Sequence, residues 1–238
     1  MNEFDKLRQL WPDRQIFQGS AGAYIRYCES WQLHWEGFEK PLWTDLFQNL
    51  NLKEACVVDM GSGTGKLVDT LIENGAKPEN IFALEPNPIL IEYLFNRQLG
   101  IGCIRDSAYN LKNPIAQKLE ADMITANMVM NHLTTPDFNE LVSDINGVLK
   151  QDGLLVYTVP NPYRKQQKHS FEDNDNFGVA IENAPWGGLV EYHHRTEDYQ
   201  KNVLNDAGFN QSFTFGSYDE THHMHIGPMR MMVIAQKK

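Results

Sequence analysis

Apolar and polar positions follow one rhythm over most of the chain. Short apolar, β-branched runs end at turn residues, and each is followed by a segment with apolar residues at helical spacing. Val57-Val58-Asp59-Met60 is the first run, and Leu67, Val68, Leu71 and Ile72 mark the helix after it. Ile81 to Leu84 predicts a second strand, closed by Glu85, and Ile89 to Gln98 a second helix. Gly100 to Arg105 gives a third strand and Ala121 to Asn127 a fourth. Phe138, Leu141, Ile145 and Leu149 put an amphipathic helix over 137–150, Gln151-Asp152-Gly153 a turn, and Leu154 to Val159 a fifth strand. Thr196 is the expected N-cap of a helix running to Leu204, with its stop at Gly208. Gln211 to Gly216 and Met229 to Gln236 read as the last two strands. Strand and helix in alternation imply an α/β fold, a mostly parallel sheet covered on both faces.

Two stretches depart from the rhythm. Residues 1–50 are rich in aromatics, with Phe38, Leu42, Leu46 and Leu50 at helical spacing, and form a helical segment ahead of the first strand. Residues 160–195 hold an excursion that leaves from the carboxyl end of the fifth strand, the side on which open sheets bind ligands. No stretch between them is clean enough to divide the chain, so residues 1–238 are expected to form a single domain.

Composition narrows the picture. A chain of 238 residues with 42% hydrophobic and 22% charged positions can bury a generous core. Its formal net charge of −10 argues against a broad field for phosphate neutralisation, so no nucleic-acid partner is expected. Cys28, Cys56 and Cys103 are far apart, which suits reduced thiols in a cytoplasmic setting. The amino terminus lacks an apolar signal core and no run reaches membrane-spanning length, so no membrane association is expected. His222-His223-Met224-His225 is expected to be a polar loop rather than a metal site, because no other ligand cluster in the sequence supports one.

The chemistry begins at Asp59-Met60-Gly61-Ser62-Gly63-Thr64-Gly65-Lys66, between the first strand and its helix. Glycines there permit positive φ and let backbone amides approach a ligand. A phosphate-cradling P-loop would need a glycine at Met60 and a hydroxyl residue at Leu67. A dinucleotide fingerprint would need a third glycine where Lys66 stands. What remains is an acid followed by Gly-x-Gly-x-Gly. This resembles the first motif of the class I S-adenosylmethionine-dependent methyltransferases, and the resemblance extends along residues 52–236.

The resemblance implies a seven-stranded, mostly parallel sheet with an antiparallel last strand, and S-adenosyl-L-methionine as cofactor. It implies that Asp59, Gly61, Gly63 and Gly65 hold the methionine end. Glu85, in Glu85-Pro86-Asn87-Pro88, would accept the ribose hydroxyls, and Asp106 with Ser107 would meet the adenine. Asn127, at the end of the fourth strand, would touch the cofactor through side chain or backbone. The methyl group is then delivered beyond that strand, where His132 matches a histidine of small-molecule members and Asn131 replaces a glutamate of quinone-type members. The string Tyr192-His193-His194-Arg195-Thr196-Glu197-Asp198-Tyr199 is similar to the acceptor border of the same enzymes. His132, His193 and His194 are the candidate bases, and Tyr24, Asn131, Trp186 and Arg195 the candidate acceptor contacts. Residues 1–50 would serve as a lid. The expected activity is O- or N-methylation of a small molecule by in-line displacement. A protein or RNA methyltransferase, and a binding protein without turnover, are the alternatives. The sequence leaves the oligomeric state open.

Overall fold

The computed structural model describes residues 21–30, 32–107, 120–161, 177–183, 189–216 and 230–238. The amino-terminal segment is α1 (Ala21–Ser30), a short turn at Gln32–His34, a π-helical stretch at Trp35–Glu39 and α2 (Lys40–Phe47). Then come β1 (Val57–Met60), α3 (Lys66–Glu73), β2 (Ile81–Leu84), α4 (Pro88–Asn96), β3 (Gly102–Ile104) and β4 (Ala121–Asn127). The chain continues through α5 (Thr135–Val148), β5 (Leu149–Pro160), β6 (Phe177–Asn183), β7 (Leu189–Arg195), α6 (Glu197–Asp206), β8 (Phe209–Gly216) and β9 (Arg230–Lys237).

Among the described residues, seven strands form one sheet in the order β3-β2-β1-β4-β5-β9-β8. β1 pairs in parallel with both β2 and β4, and β4 with β5. β9 runs antiparallel to β5 on one side and to β8 on the other. The last strand therefore inserts between its two neighbours instead of being added at the edge. Alternate residues of β1 feed opposite cores. Val57 packs with Leu67, Leu71, Leu94, Trp43 and Phe47, whereas Val58 and Met60 pack with Phe138, Leu141, Ile145 and Phe209. These are the two helical layers that periodicity predicts.

Three elements differ from expectation. β5 starts at Leu149, and the predicted turn lies within it as a kink at Asp152, whose φ is +63°. The predicted amino-terminal helix is broken by the π-helical stretch before α2. Within 160–195 the chain forms an antiparallel ribbon, β6 with β7, which alternation did not reveal.

The strand order reverses between β1 and β4, so the chain leaves the carboxyl ends of these neighbours in opposite directions and opens a crevice there. The glycine-rich loop and the turn after β4 are its two lips. They touch where a Cβ on Gly61 would come 2.5 Å from Cγ2 of Val129.

Candidate active site

The loop after β1 has all three predicted glycines at positive φ: Gly61 at +64°, Gly63 at +54° and Gly65 at +83°. The amides of Gly61 and Ser62 both donate to the carbonyl oxygen of Leu84 at the end of β2, at 2.7 and 3.3 Å, which fixes the loop to the next strand. Gly65 is where α3 meets α4: a Cβ there would come 2.4 Å from Cδ2 of Leu94. Lys66, which departs from the dinucleotide pattern, donates through Nζ to the carbonyl oxygen of Cys28 at 2.5 Å. The loop is thereby tied to α1.

Two acids flank the loop. Asp59 pairs in register with Thr125 of β4, and Thr125 Oγ1 donates to its Oδ1 at 2.9 Å. Its second oxygen, Oδ2, is buried without a hydrogen-bond partner. Glu85 accepts from the amide of Gly63 at 3.0 Å and from that of Asn87 at 2.9 Å. Burial pushes each carboxyl up to about 7; Thr125 and Ser62 partly offset this for Asp59, the two backbone amides for Glu85. Pro86 leads into Asn87, whose side chain caps α4 by accepting from the amides of Ile89 and Leu90. Asp106 follows β3, next in the sheet, and accepts from the amide of the buried Ser107 at 2.8 Å. Asp59, Glu85 and Asp106 thus follow one another along the carboxyl ends of β1, β2 and β3.

Asn127 ends β4 with its side chain filled. Its Oδ1 accepts from Trp43 Nε1 at 3.0 Å and Thr158 Oγ1 at 2.6 Å, and its Nδ2 donates to Glu39 Oε2 at 2.9 Å. The contact it can offer a ligand is therefore its main chain. Glu39 completes the network by pairing with Arg230 at 2.6 Å. Neither Glu39 nor Arg230 was anticipated from the sequence; they stand 191 positions apart, and no local pattern links them.

Beyond β4, Met128 adopts φ +59°, which turns the chain out of the sheet into the short helical turn Met130–His132. The His132 ring lies 5.2 Å from that of Tyr192 in β7, and Tyr192 lies 6.4 Å from His194. Arg195 closes this arrangement. Its guanidinium donates to the carbonyl oxygen of Met130 at 3.1 Å and to that of Leu133, and lies 4.4 Å from the centre of the Phe138 ring. Asn131, His193, His194 and Arg195 line a small pocket with Val159, Pro160 and Gln200.

From α1, Tyr24 stands over the loop, its hydroxyl 3.3 Å from where a Cβ on Gly63 would be. Burial and then the neighbouring Cys28 thiol raise that hydroxyl well above its ordinary value. Tyr27, not singled out from the sequence, is pushed up to about 12 by burial and then by Tyr192. Trp186 and the 222–225 histidine run lie outside the described residues. Among the described residues there is no cluster of three or more metal-ligating side chains.

A glycine-rich cradle at the switch point, flanked by acids on successive strands, is one expression of a shared architecture. Residues 35–211 match the family model described as a methyltransferase domain. The chain belongs to that methyltransferase family. An uncharacterised methyltransferase of Geobacillus sp. (strain WCH70) is 23% identical to this methyltransferase over 207 residues, covering 81% of this chain and 91% of the relative. An S-adenosylmethionine-dependent methyltransferase of Mesorhizobium loti has the same fold, with a TM-score of 0.62 at 17% identity over 83% of this chain and 96% of its own. So does the 1,6-didemethyltoxoflavin-N1-methyltransferase of Burkholderia thailandensis, with a TM-score of 0.62 at 15% identity over 92% of this chain and 87% of its own. The fold of this methyltransferase is that of the class I, S-adenosylmethionine-dependent enzymes, as its first motif implied.

Proposed function

We propose that this methyltransferase transfers the methyl group of S-adenosylmethionine to a small-molecule acceptor by in-line displacement. The observation that carries the small-acceptor reading is the ring group at the exit of β4. His132 stands against Tyr192 of ribbon strand β7, with His194 of the same strand beyond it and Arg195 locking the strand down, and Tyr192 is among the groups that raise the Tyr27 hydroxyl of α1. Such an arrangement suits a molecule taken into the crevice better than an extended polymer lying across it. The 1,6-didemethyltoxoflavin-N1-methyltransferase, which holds the small molecule 1,6-didemethyltoxoflavin, points the same way.

The residues fit the cofactor. Asp59 Oδ2 is a buried acceptor in want of a donor, which an ammonium or a bridging water supplies. Glu85 retains lone pairs on both oxygens after accepting two amides, enough for ribose hydroxyls. The loop carries no side chain at Gly61 or Gly63, where Val129 and the Tyr24 hydroxyl sit against the main chain. Asp106 with Ser107 at the end of β3 meets the adenine in this reading, and the main chain of Asn127 flanks the cofactor. When bound, S-adenosylmethionine supplies an electrophilic methyl group on a positively charged sulfur.

The protein's part is alignment, exclusion of water and management of one proton. Holding donor and acceptor in line is worth on the order of 7–11 kcal/mol of the barrier. His132, at the strand end where the methyl group is delivered, takes the proton of a hydroxyl or amine acceptor on its ring nitrogen. His194 is buried behind Tyr192 and supports that ring, and His193 lines the neighbouring pocket.

The test is release of S-adenosylhomocysteine over a panel of small phenols, amines and carboxylic acids, run beside protein and RNA fractions. Turnover on small molecules, reduced at least a hundredfold by His132→Ala, is the expected outcome. Turnover confined to the macromolecular fractions would overturn the small-acceptor reading.

A further inference from the structure

The turn that carries His132 is loosely closed by its own bonds. Met130–His132 is one short helical turn. The His132 amide donates to the Val129 carbonyl oxygen at 2.9 Å, but the next bond, from the Leu133 amide to the Met130 carbonyl oxygen, is stretched to 3.4 Å. A single turn fixes several dihedrals for each bond gained, so it needs support from outside. Arg195, 4% exposed at the end of β7, supplies it. One guanidinium nitrogen donates to the Met130 carbonyl oxygen at 3.1 Å and to that of His193 at 3.4 Å, and the other donates to that of Leu133. The guanidinium carbon lies over the Phe138 ring of α5, 4.4 Å from its centre. The main chain of Arg195 is secured as well. Gln200 Nε2 of α6 donates to its carbonyl oxygen at 3.0 Å, and the Tyr157 hydroxyl of β5 donates to Gln200 Oε1 at 2.7 Å.

We infer that Arg195 is a positioning residue: its planar fork spans the two carbonyls that bracket Asn131 and His132, and thereby sets where the His132 ring stands at the end of β4. Two donors at a fixed separation meet two acceptors at once, which the single centre of a lysine ammonium does not reproduce. The sequence pattern offers Arg195 as an acceptor contact, whereas here both terminal nitrogens of the guanidinium are occupied by main chain. Because the tie runs to carbonyl oxygens, it holds the turn independently of the side chains that line the crevice. The same strand brings Tyr192 against the imidazole, with ring centres 5.2 Å apart, so β7 fixes both the turn and the face its histidine presents. The catalytic value of this rests on the proposed role of His132. Under that role a displacement of about 1 Å at the ring costs roughly a hundredfold in rate.

The test separates the positioning from the chemistry. In the full-length protein labelled with ¹³C-histidine and free of acceptor, the His132 ring signal is identified by its loss in His132→Gln. It is expected to be single and displaced by the Tyr192 ring current. Arg195→Met and Arg195→Lys should move it toward the position of an unstructured histidine or split it, while affinity for S-adenosylhomocysteine stays within about twofold. The lysine variant keeps the charge and carries the test if the methionine variant does not fold. Guanidinium added to Arg195→Ala should restore the signal, and ammonium at the same concentration should not. On any small acceptor that turns over, Arg195→Lys should lower kcat roughly a hundredfold with KM for S-adenosylmethionine unchanged. An unmoved His132 signal in the folded variants would overturn the inference, as would an affinity for S-adenosylhomocysteine that falls as far as kcat. A rise in acceptor KM alone, the mark of direct contact, would also overturn it. Should the signal move as expected while no small molecule turns over, the acceptor reading fails and the positioning role stands.

Discussion

Asp59 and Glu85 are buried carboxyls raised to about 7, above the ordinary carboxylate value near 4. The sign of the consequence is the reverse of that for a salt-bridged acid. Between about pH 4 and 7 the folded protein holds protons that the unfolded chain has released, so stability without ligand falls as pH rises through that window. Above about 7 the penalty is complete. A cationic ligand favours the ionised carboxylates, so binding of S-adenosylmethionine near pH 7 should release protons and tighten as pH rises from 6 to 8. Calorimetry in buffers of different ionisation heat measures this directly; zero proton release would contradict it. Glu85→Gln keeps the shape but gives up the charge-assisted bonds expected with the ribose, about 1.5–3 kcal/mol. Affinity for S-adenosylhomocysteine should drop at least tenfold, and an unchanged value in a folded variant would remove Glu85 from that role. Both acids were legible in the sequence because each ends an apolar run at a turn. Thr125, which supports Asp59, was not: it is one residue of a buried strand, and only the β1–β4 register brings it alongside.

At the scale of elements, the third glycine of the loop is a packing device. Alanine at Gly65 meets both Leu94 and the guanidinium of Arg97, at 2.4 and 2.8 Å, from a backbone at φ +83°. Overpacking and left-handed strain together should cost about 2–5 kcal/mol, read as a lower midpoint in urea with an unchanged slope. A loss below 1 kcal/mol would mean that α4 yields freely. The strands flanking this loop were legible because a doubly covered sheet demands near-continuous apolar runs. The β6–β7 ribbon was not, because among the described residues its strands pair with each other, outside the strand–helix alternation that organises the main sheet. The antiparallel last strand came from the resemblance to class I methyltransferases rather than from local pattern, since strand pairing is a non-local choice.

Across the whole molecule, several ties fasten the amino-terminal segment. Among the described residues Lys66 reaches Cys28, Lys40 pairs with Glu73, and Glu39 joins Asn127 and Arg230, linking early, middle and late stretches of the chain. The Glu39–Arg230 pair is nearly buried, and removing one partner takes a compensating charge from the other. Glu39→Gln should therefore lower stability by about 3 kcal/mol, and a double-mutant cycle with Arg230→Gln should show coupling well above that of an exposed pair. Additive effects would show the pair to be idle. Among the described residues, no helix is long and apolar enough to cross a membrane. One joint has a wider consequence. The last residue of β7 grips the peptide groups on both sides of His132, so under the proposed reaction an outward swing of the ribbon would carry the imidazole with it. In that reading the arginine couples ribbon and imidazole: a foreign ribbon grafted in to accept a new molecule must carry Arg195 across as well.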